Sequence, residues 1–333
     1  MKAGWLAVFG LALAACGGGE PAAPTAPTAP TAPPATASVR GNLTRTVEGG
    51  PVPGATLSAG GLTARSGADG SFALDLPAGE HRLVVSGPGI VERTTTIRAP
   101  DGALAIDAVP VGGLWTLDFY REMARNGAGG GDLEPLSPWD SEPVFFIDAR
   151  PEPTTGAEIP AETIEFVREA IPVTVQLLSG GRYAGERVEV TREPPADMTP
   201  GTVILRWNAA EVAEQAETAS AFAYRVGGDA NVVVFRHIPE TWAVHHEIGH
   251  VMGLHHPLGG LRPSHMWYSG ELEPPHFTEW DIFHAQVVYS RPAGNTDIDV
   301  DPPGFVASRT SAAAGPTTGP VVCFFPEPGP YGR

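Results

Sequence analysis

The stretch that decides the fold reads TWAVHHEIGHVMGLHHP over residues 241–257. It contains the pattern H-E-x-x-H-x-x-G-x-x-H, in which His246 and His250 are four residues apart. Side chains four apart lie on one face of a helix, so both imidazoles can reach one Zn²⁺ at about 2.0–2.1 Å each. Gly253 can adopt the left-handed conformation that ends a helix. The turn that follows lets His256 return to the same ion.

Three protein ligands leave a fourth position open for water, as in catalytic rather than structural zinc sites. Glu247 follows the first ligand directly and can reach a metal-bound water. The spacing excludes two other histidines as ligands. His245 is followed four residues later by Gly249, and His255 comes two residues after Gly253 where the pattern needs three. The sequence therefore predicts one Zn²⁺ held by three histidines, with Glu247 beside it.

A second motif, SHMWY, lies at 264–268, and its Met266 is ten residues past the third ligand. With the zinc pattern, and with the segment 277–289, it resembles the metzincin metallopeptidases. The resemblance implies that Met266 forms a hydrophobic floor beneath the zinc. It also implies that Tyr268 is a movable zinc ligand and oxyanion donor. Astacins and serralysins are similar in this motif, but the glycine-aspartate calcium repeats of serralysins are missing, so the resemblance extends only to the clan.

The function that the resemblance implies is zinc-dependent hydrolysis of a protein or peptide. Zinc would lower the pKa of its water to about 7. Glu247 would act first as general base and then as general acid. Two alternatives stay open. One is a non-enzymatic envelope lipoprotein that serves as a binding or adhesion module with a vestigial zinc site. The other is zinc chemistry directed at envelope peptide cross-links.

The N-terminus is typical of an exported protein. Lys2 precedes an apolar run over residues 5–15, which is too short to span a bilayer. The run ends in LAAC at 13–16, which resembles the bacterial lipobox. We expect signal cleavage after residue 15 and lipid, including palmitate, on Cys16; a plain secretory signal is the alternative. An Ala-Pro-Thr repeat makes residues 16–37 a tether. These features predict a lipid-anchored envelope protein, at the outer membrane or cell surface rather than the inner membrane.

Residues 38–100 are predicted to form a small all-β sandwich. Apolar residues alternate, as at Phe72, Leu74 and Leu76, between turns such as ADG at 68–70. The segment resembles the carboxypeptidase regulatory-like (transthyretin-like) family, on the stretches GPVPGA at 50–55 and ADGSF at 68–72. That resemblance implies a structural or adhesive role.

The rest of the chain predicts an α+β class, with a metzincin-like domain of mixed sheet and active-site helix over 143–292. A helix is predicted at 161–178, and strands at 144–147, 187–191, 202–207, 221–226 and 231–235. Residues 101–142 are predicted to be a connector and 293–333 a Pro/Gly-rich tail. The D-x-D-x-D run at 297–301 lacks the glycine and closing acid of a calcium loop. We therefore predict a solvated linker there and no calcium.

Composition excludes one class of partner. The 333 residues carry 21 Lys and Arg against 38 Asp and Glu, a net charge of −17. Nucleic acid binding needs clustered Lys and Arg, so we expect no nucleic acid partner. The predicted partners are a peptide or protein and, through Cys16, a membrane. We expect a monomer, in which Cys323 is an unpaired thiol.

Overall fold

The computed structural model describes residues 36–215, 217, 219–226, 230–237, 239, 241–258, 263–267 and 276–308. The predicted signal segment, most of the tether, Cys16, Tyr268 and Cys323 lie outside the described residues. Within the described residues, no helix is both long enough and apolar enough to cross a bilayer. The architecture is α+β: a β-sandwich is followed by a mixed sheet with helices.

Seven strands form the sandwich. They are β1 (Thr36–Arg45), β2 (Thr56–Ala59), β3 (Leu62–Arg65), β4 (Ser71–Pro77), β5 (Gly79–Ser86), β6 (Arg93–Ala99) and β7 (Asp101–Ala108). The strand order is β4-β1-β7 in one sheet and β3-β2-β5-β6 in the other. The predicted alternation in β4 is confirmed, because Phe72, Leu74 and Leu76 are buried between exposed neighbours. One apolar core joins the two sheets.

The sandwich extends past residue 100, where we predicted a connector to begin. β7 pairs in parallel with β1, and the register shifts between Val39 and Gly41. A Cβ atom built on Gly41 would lie 2.3 Å from the carbonyl oxygen of Leu104. Glycine is therefore required for the close approach of these two strands. The pairing is between residues distant in sequence, so local patterns did not indicate that β7 belongs to the sandwich.

A five-stranded mixed sheet follows. Its strands are β8 (Val144–Asp148), β9 (Val188–Thr191), β10 (Thr202–Trp207), β11 (Ala221–Val226) and β12 (Ala230–Phe235), in the order β11-β12-β10-β8-β9. Four strands are parallel, and β11 at the edge is antiparallel to β12. All six residues of β12 are buried, as expected of a strand covered on both faces. The five predicted strands are confirmed.

The described part of the chain also contains five α-helices: α1 (Leu117–Arg125), α2 (Ala161–Ser179), α3 (Ala209–Gln215), α4 (Thr241–Val251) and α5 (Glu279–Tyr289). The predicted helix at 161–178 is α2, which continues through Pro172 and contacts both α4 and α5. The predicted connector is not a separate linker. Trp115, Tyr120 and Trp139 from that segment are buried in the same core as the sheet and helices, because large aromatic side chains gain most from burial.

Residues 291–307, which we call the aspartate strap, pack against the sandwich. Arg291 contacts Asp299 through two bonds of 2.7 Å, and its third nitrogen lies 2.7 Å from Asp107 of β7. Arg93 of β6 binds Asp107 and Asp301. The prediction of a solvated linker at 297–301 was wrong, because Asp299 and Asp301 are buried and pair with the buried Arg291 and Arg93. Asp297 is partly exposed and pairs with Arg121. Backbone bonds between the strap and β6 complete the contact.

Candidate metal centre

The local structure of α4 explains how three histidines meet. His246 and His250 lie one turn apart on the helix, which ends at Val251. Gly253 has a φ of +87°, the left-handed conformation that favours glycine. The Leu254 amide donates to the carbonyl of Gly249 and closes the turn. The chain then reverses and brings His256 beside the helix.

The three imidazoles form what we call the three-histidine cluster. The Nε2 atoms of His246 and His250 are 3.1 Å apart, and each lies 3.0 Å from Nε2 of His256. Tetrahedral zinc with bonds of about 2.05 Å would separate its nitrogens by about 3.3 Å. The observed triangle is only slightly smaller. Among the described residues, this is the one group of three or more His, Cys, Asp or Glu side chains that meets the geometry for one metal ion.

Hydrogen bonds fix which ring nitrogens carry protons. His246 Nδ1 lies 2.9 Å from the carbonyl of His265, and His250 Nδ1 lies 2.8 Å from the carbonyl of Leu254. A carbonyl only accepts, so each Nδ1 must donate its proton. In the neutral rings, both Nε2 lone pairs then point into the cluster and face each other. A cation at the centre would turn this repulsion into coordination, so the donor set fits a metal.

Burial keeps these rings neutral, as metal ligands must be. Burial lowers the pKa of His246 to about 3, although its bond to the His265 carbonyl acts in the opposite direction. Burial and the neighbouring His246 and His256 hold the pKa of His250 well below its usual value. Burial also lowers the pKa of His256. No proton needs to leave these rings at neutral pH before a metal binds.

The other candidate residues surround the cluster. Glu247 is buried beside His246 on α4. His245 is also buried, but its Nδ1 lies 2.6 Å from the Thr174 hydroxyl and it is not in the cluster. His255 is likewise outside the cluster, and its backbone amide donates to the carbonyl of Met123. The structure thus brings together the three histidines predicted from spacing and leaves the two neighbours out.

Met266 lies under the helix that carries the cluster. It is fully buried, and a Cβ built on Gly249 would lie 2.5 Å from its Sδ atom. Gly249 therefore lets the methionine approach the helix backbone. Met266 therefore packs against the backbone of α4, and its predicted place as a floor beneath a zinc ion stays a prediction.

One buried acid in this region makes polar contacts that the sequence did not reveal. Asp281 of α5 is fully buried, and it accepts from the Ser264 hydroxyl at 2.5 Å and from the His265 amide at 2.9 Å. Burial raises the pKa of Asp281, although these bonds and those from Thr278 lower it. The spacing Thr278-x-x-Asp281 indicates a capping box, and that box is present. Nothing in the sequence connected it with the histidines.

Comparison with known proteins locates a family match in the sandwich. Residues 38–109 match the family model of the carboxypeptidase regulatory-like domain. The resemblance predicted for this segment is therefore confirmed. The match covers less than a quarter of the chain and ends well before α4. No curated protein matches the chain.

Several solved structures resemble parts of this chain. A DUF3823 family protein from Parabacteroides merdae is 19% identical, and the alignment covers 23% of this chain and 48% of that one, with a TM-score of 0.20. A Streptococcal ancillary pilin is 16% identical, with coverages of 23% and 30% and a TM-score of 0.20. A putative membrane-associated protein of unknown function from Bacteroides fragilis is 15% identical, with coverages of 45% and 46% and a TM-score of 0.20. The chain spans less than half the length of each.

These findings contradict the prediction of a metzincin peptidase. The family model that matches is the carboxypeptidase regulatory-like domain, and it covers residues 38–109, whereas the peptidase was predicted over 143–292. The metzincin identity was wrong, and the predicted peptidase activity is corrected with it. The physical reason is that a ligand pattern of a few residues specifies a metal-binding geometry, whereas a family and a reaction need the whole site. The three-histidine cluster itself is unaffected.

Proposed function

We propose that this chain is a lipid-anchored module of the bacterial envelope that binds Zn²⁺ and a protein or peptide partner without hydrolysing it. The observation that carries the proposal is the three-histidine cluster, whose Nε2 atoms converge within 3.0–3.1 Å of one another. The sandwich of the carboxypeptidase regulatory-like type is the second part of the module.

The chemistry of the donor set favours zinc over harder ions. Three neutral imidazoles suit Zn²⁺ and other late transition metals, whereas calcium and magnesium require oxygen ligands. Fixed Nδ1 donors orient two of the rings before the metal arrives, which strengthens binding in histidine sites. His246, His250 and His256 would hold the ion, and Glu247 follows the first of them on α4. When bound, zinc supplies a Lewis acid with one further coordination position.

The anchoring part of the proposal is based on the N-terminal sequence. The segment LAAC at 13–16 places a cysteine directly after small residues at the end of an apolar run. A lipid on Cys16 would attach the chain to a membrane, and the Pro-rich segment after it would hold the sandwich away from that membrane.

Metal content tests the first part of the proposal. The full chain is purified, incubated with Zn²⁺ and dialysed, and its zinc is measured by plasma mass spectrometry. We expect about one zinc per chain and almost none in His256→Ala. His255→Ala is the matched control, because it removes the neighbouring imidazole outside the cluster, and it should keep its zinc. A wild-type chain without zinc, or equal loss in both variants, would overturn the site.

Lipid labelling and peptide binding test the other parts. Cells given labelled palmitate should label the wild-type chain and leave Cys16→Ser unlabelled; equal labelling would contradict the anchor. The purified chain is then applied to an array of random peptides with and without a chelator. We expect binding that the chelator removes and no cleavage of the peptides. Binding that His256→Ala retains in full would show that zinc has no part in recognition.

A further inference from the structure

The imidazole of His246 is held by a turn that lies outside its own helix. Its Nδ1 donates to the carbonyl oxygen of His265 over 2.9 Å. That carbonyl belongs to the peptide unit joining His265 to Met266. The orientation of the first predicted zinc ligand therefore depends on what holds this peptide unit in place.

The same peptide unit is bonded at its other end. The Met266 amide donates to the Ser264 hydroxyl over 3.0 Å, and that hydroxyl donates to Asp281 over 2.5 Å. The Asp281 carboxylate is thus linked to the His246 ring by a continuous chain of three hydrogen bonds through one peptide unit. Each bond in such a chain polarises the next, more strongly when one end is charged and buried. Ser264, Asp281 and Met266 are all fully buried.

Asp281 also closes the start of α5. It accepts from the Thr278 amide over 2.8 Å, and the Thr278 hydroxyl accepts from its amide over 3.3 Å. A capping box alone needs no more than an exposed carboxylate at a helix end. Here the carboxylate is buried and turned so that one oxygen meets Ser264. One carboxylate oxygen accepts from Thr278 and from the His265 amide, and the other accepts from Ser264 in the link to His246.

We propose that Asp281 is a positioning residue for the metal centre. Through Ser264 and the 265–266 peptide, it orients His246 and makes Nε2 of that ring a stronger metal ligand. The inference rests on the proposed zinc binding. Carboxylates that bond metal-bound histidines raise the basicity of the ring, and their loss typically lowers metal affinity 10- to 100-fold. In this chain the carboxylate acts through a hydroxyl and a peptide instead of directly.

The test measures zinc affinity and stability in the same full-length variants. Zinc dissociation constants come from competition with a chromophoric chelator, and unfolding midpoints come from urea titrations. Asp281→Asn keeps the shape but removes the charge, and Ser264→Ala interrupts the chain while leaving Asp281 and the cap intact. We expect each to weaken zinc binding by about 10-fold or more. Cobalt-substituted protein should show altered visible absorption, because the geometry at His246 changes.

Thr278→Val is the matched control. It removes the bonds of the Thr278 hydroxyl to Asp281 and to the Pro263 carbonyl, but it leaves the bonds from Asp281 through Ser264 and Met266 in place. It should therefore lower the urea midpoint with little change in zinc affinity. Unchanged affinity in Ser264→Ala, or a loss in Thr278→Val as large as in Ser264→Ala, would overturn the inference. A wild-type chain that binds no zinc would refute the proposed function instead. If Asp281→Asn does not fold, Ser264→Ala, which lacks a single hydroxyl, decides the question.

Discussion

Removing one arginine from the aspartate strap should destabilise the whole fold. Arg291 is 2% exposed and makes three bonds of 2.7 Å, two to Asp299 and one to Asp107. Arg291→Met keeps an apolar chain of similar length but removes the charge. Asp107 also pairs with Arg93, whereas Asp299 pairs with Arg291. The substitution leaves one buried negative charge without its counter-charge.

The expected loss follows from that imbalance. Breaking a buried ion pair by removing one partner costs about 3–5 kcal/mol, against a total stability of about 5–15 kcal/mol for a typical protein. Urea unfolding at pH 7, followed by tryptophan fluorescence and circular dichroism, measures the loss. Arg168→Met is the control, because it breaks an ion pair with Glu165 in which both side chains are about half exposed. That control should unfold like the wild type.

The pH dependence gives an independent check. Burial would raise the pKa of Asp107, but Arg291 and Arg93 outweigh it and lower the pKa from 3.8 to about 2. A carboxyl whose pKa is lower in the folded state stabilises the fold above its unfolded pKa, and this stabilisation is lost as the pH falls through the folded value. The advantage of the wild type over Arg291→Met should therefore shrink between about pH 4 and pH 2. A loss below about 1 kcal/mol at pH 7 would refute the reasoning.

Three further predictions concern single positions. Gly41→Ala should disrupt the pairing of β1 with β7, since its Cβ would lie 2.3 Å from a backbone carbonyl; a urea midpoint equal to that of the wild type would contradict this. Burial would raise the pKa of Glu152, but bonds from the Ala209 amide, Thr155 and Thr154 lower it to about 2. Glu152→Gln should therefore be less stable than wild type at pH 7, with the difference disappearing as the pH falls from about 4.5 toward 2; an equal gap at pH 7 and pH 2.5 would exclude this. Gly249→Ala should cost up to about 2 kcal/mol, because overpacking against Met266 outweighs the better helix propensity of alanine. The cost should fall in a Met266→Ala background, as a double-mutant cycle would measure.

The anchored, exported character of the chain remains a prediction from its first residues. Cys16 and the tether lie outside the described residues, and so do Tyr268 and Cys323. Membrane fractionation of cells, with Cys16→Ser as control, would test the anchor independently of zinc.

Most of the secondary structure and the three-histidine cluster could be predicted because their signals are local. Period-two alternation places Phe72, Leu74 and Leu76 in one strand. Spacing on a helix and a left-handed glycine bring His246, His250 and His256 together. The same local motifs also led to the prediction of a peptidase, which was wrong. Ligand spacing specifies a geometry that can hold a metal, and the family match lies in another part of the chain.

The sequence by itself determined the helix that carries two histidines, the turn that returns the third, and the five strands of the mixed sheet. Only the tertiary structure decided the role of the acids. Asp301 meets Arg93 across 208 positions, and Asp281 reaches His246 through residues 264–266. Charges and hydrogen bonds act between groups that are close in space, and closeness in space between distant residues is set by the packing of whole elements. A run of aspartates therefore resembles a solvated linker in the sequence, and it becomes a buried strap once the fold supplies its arginines.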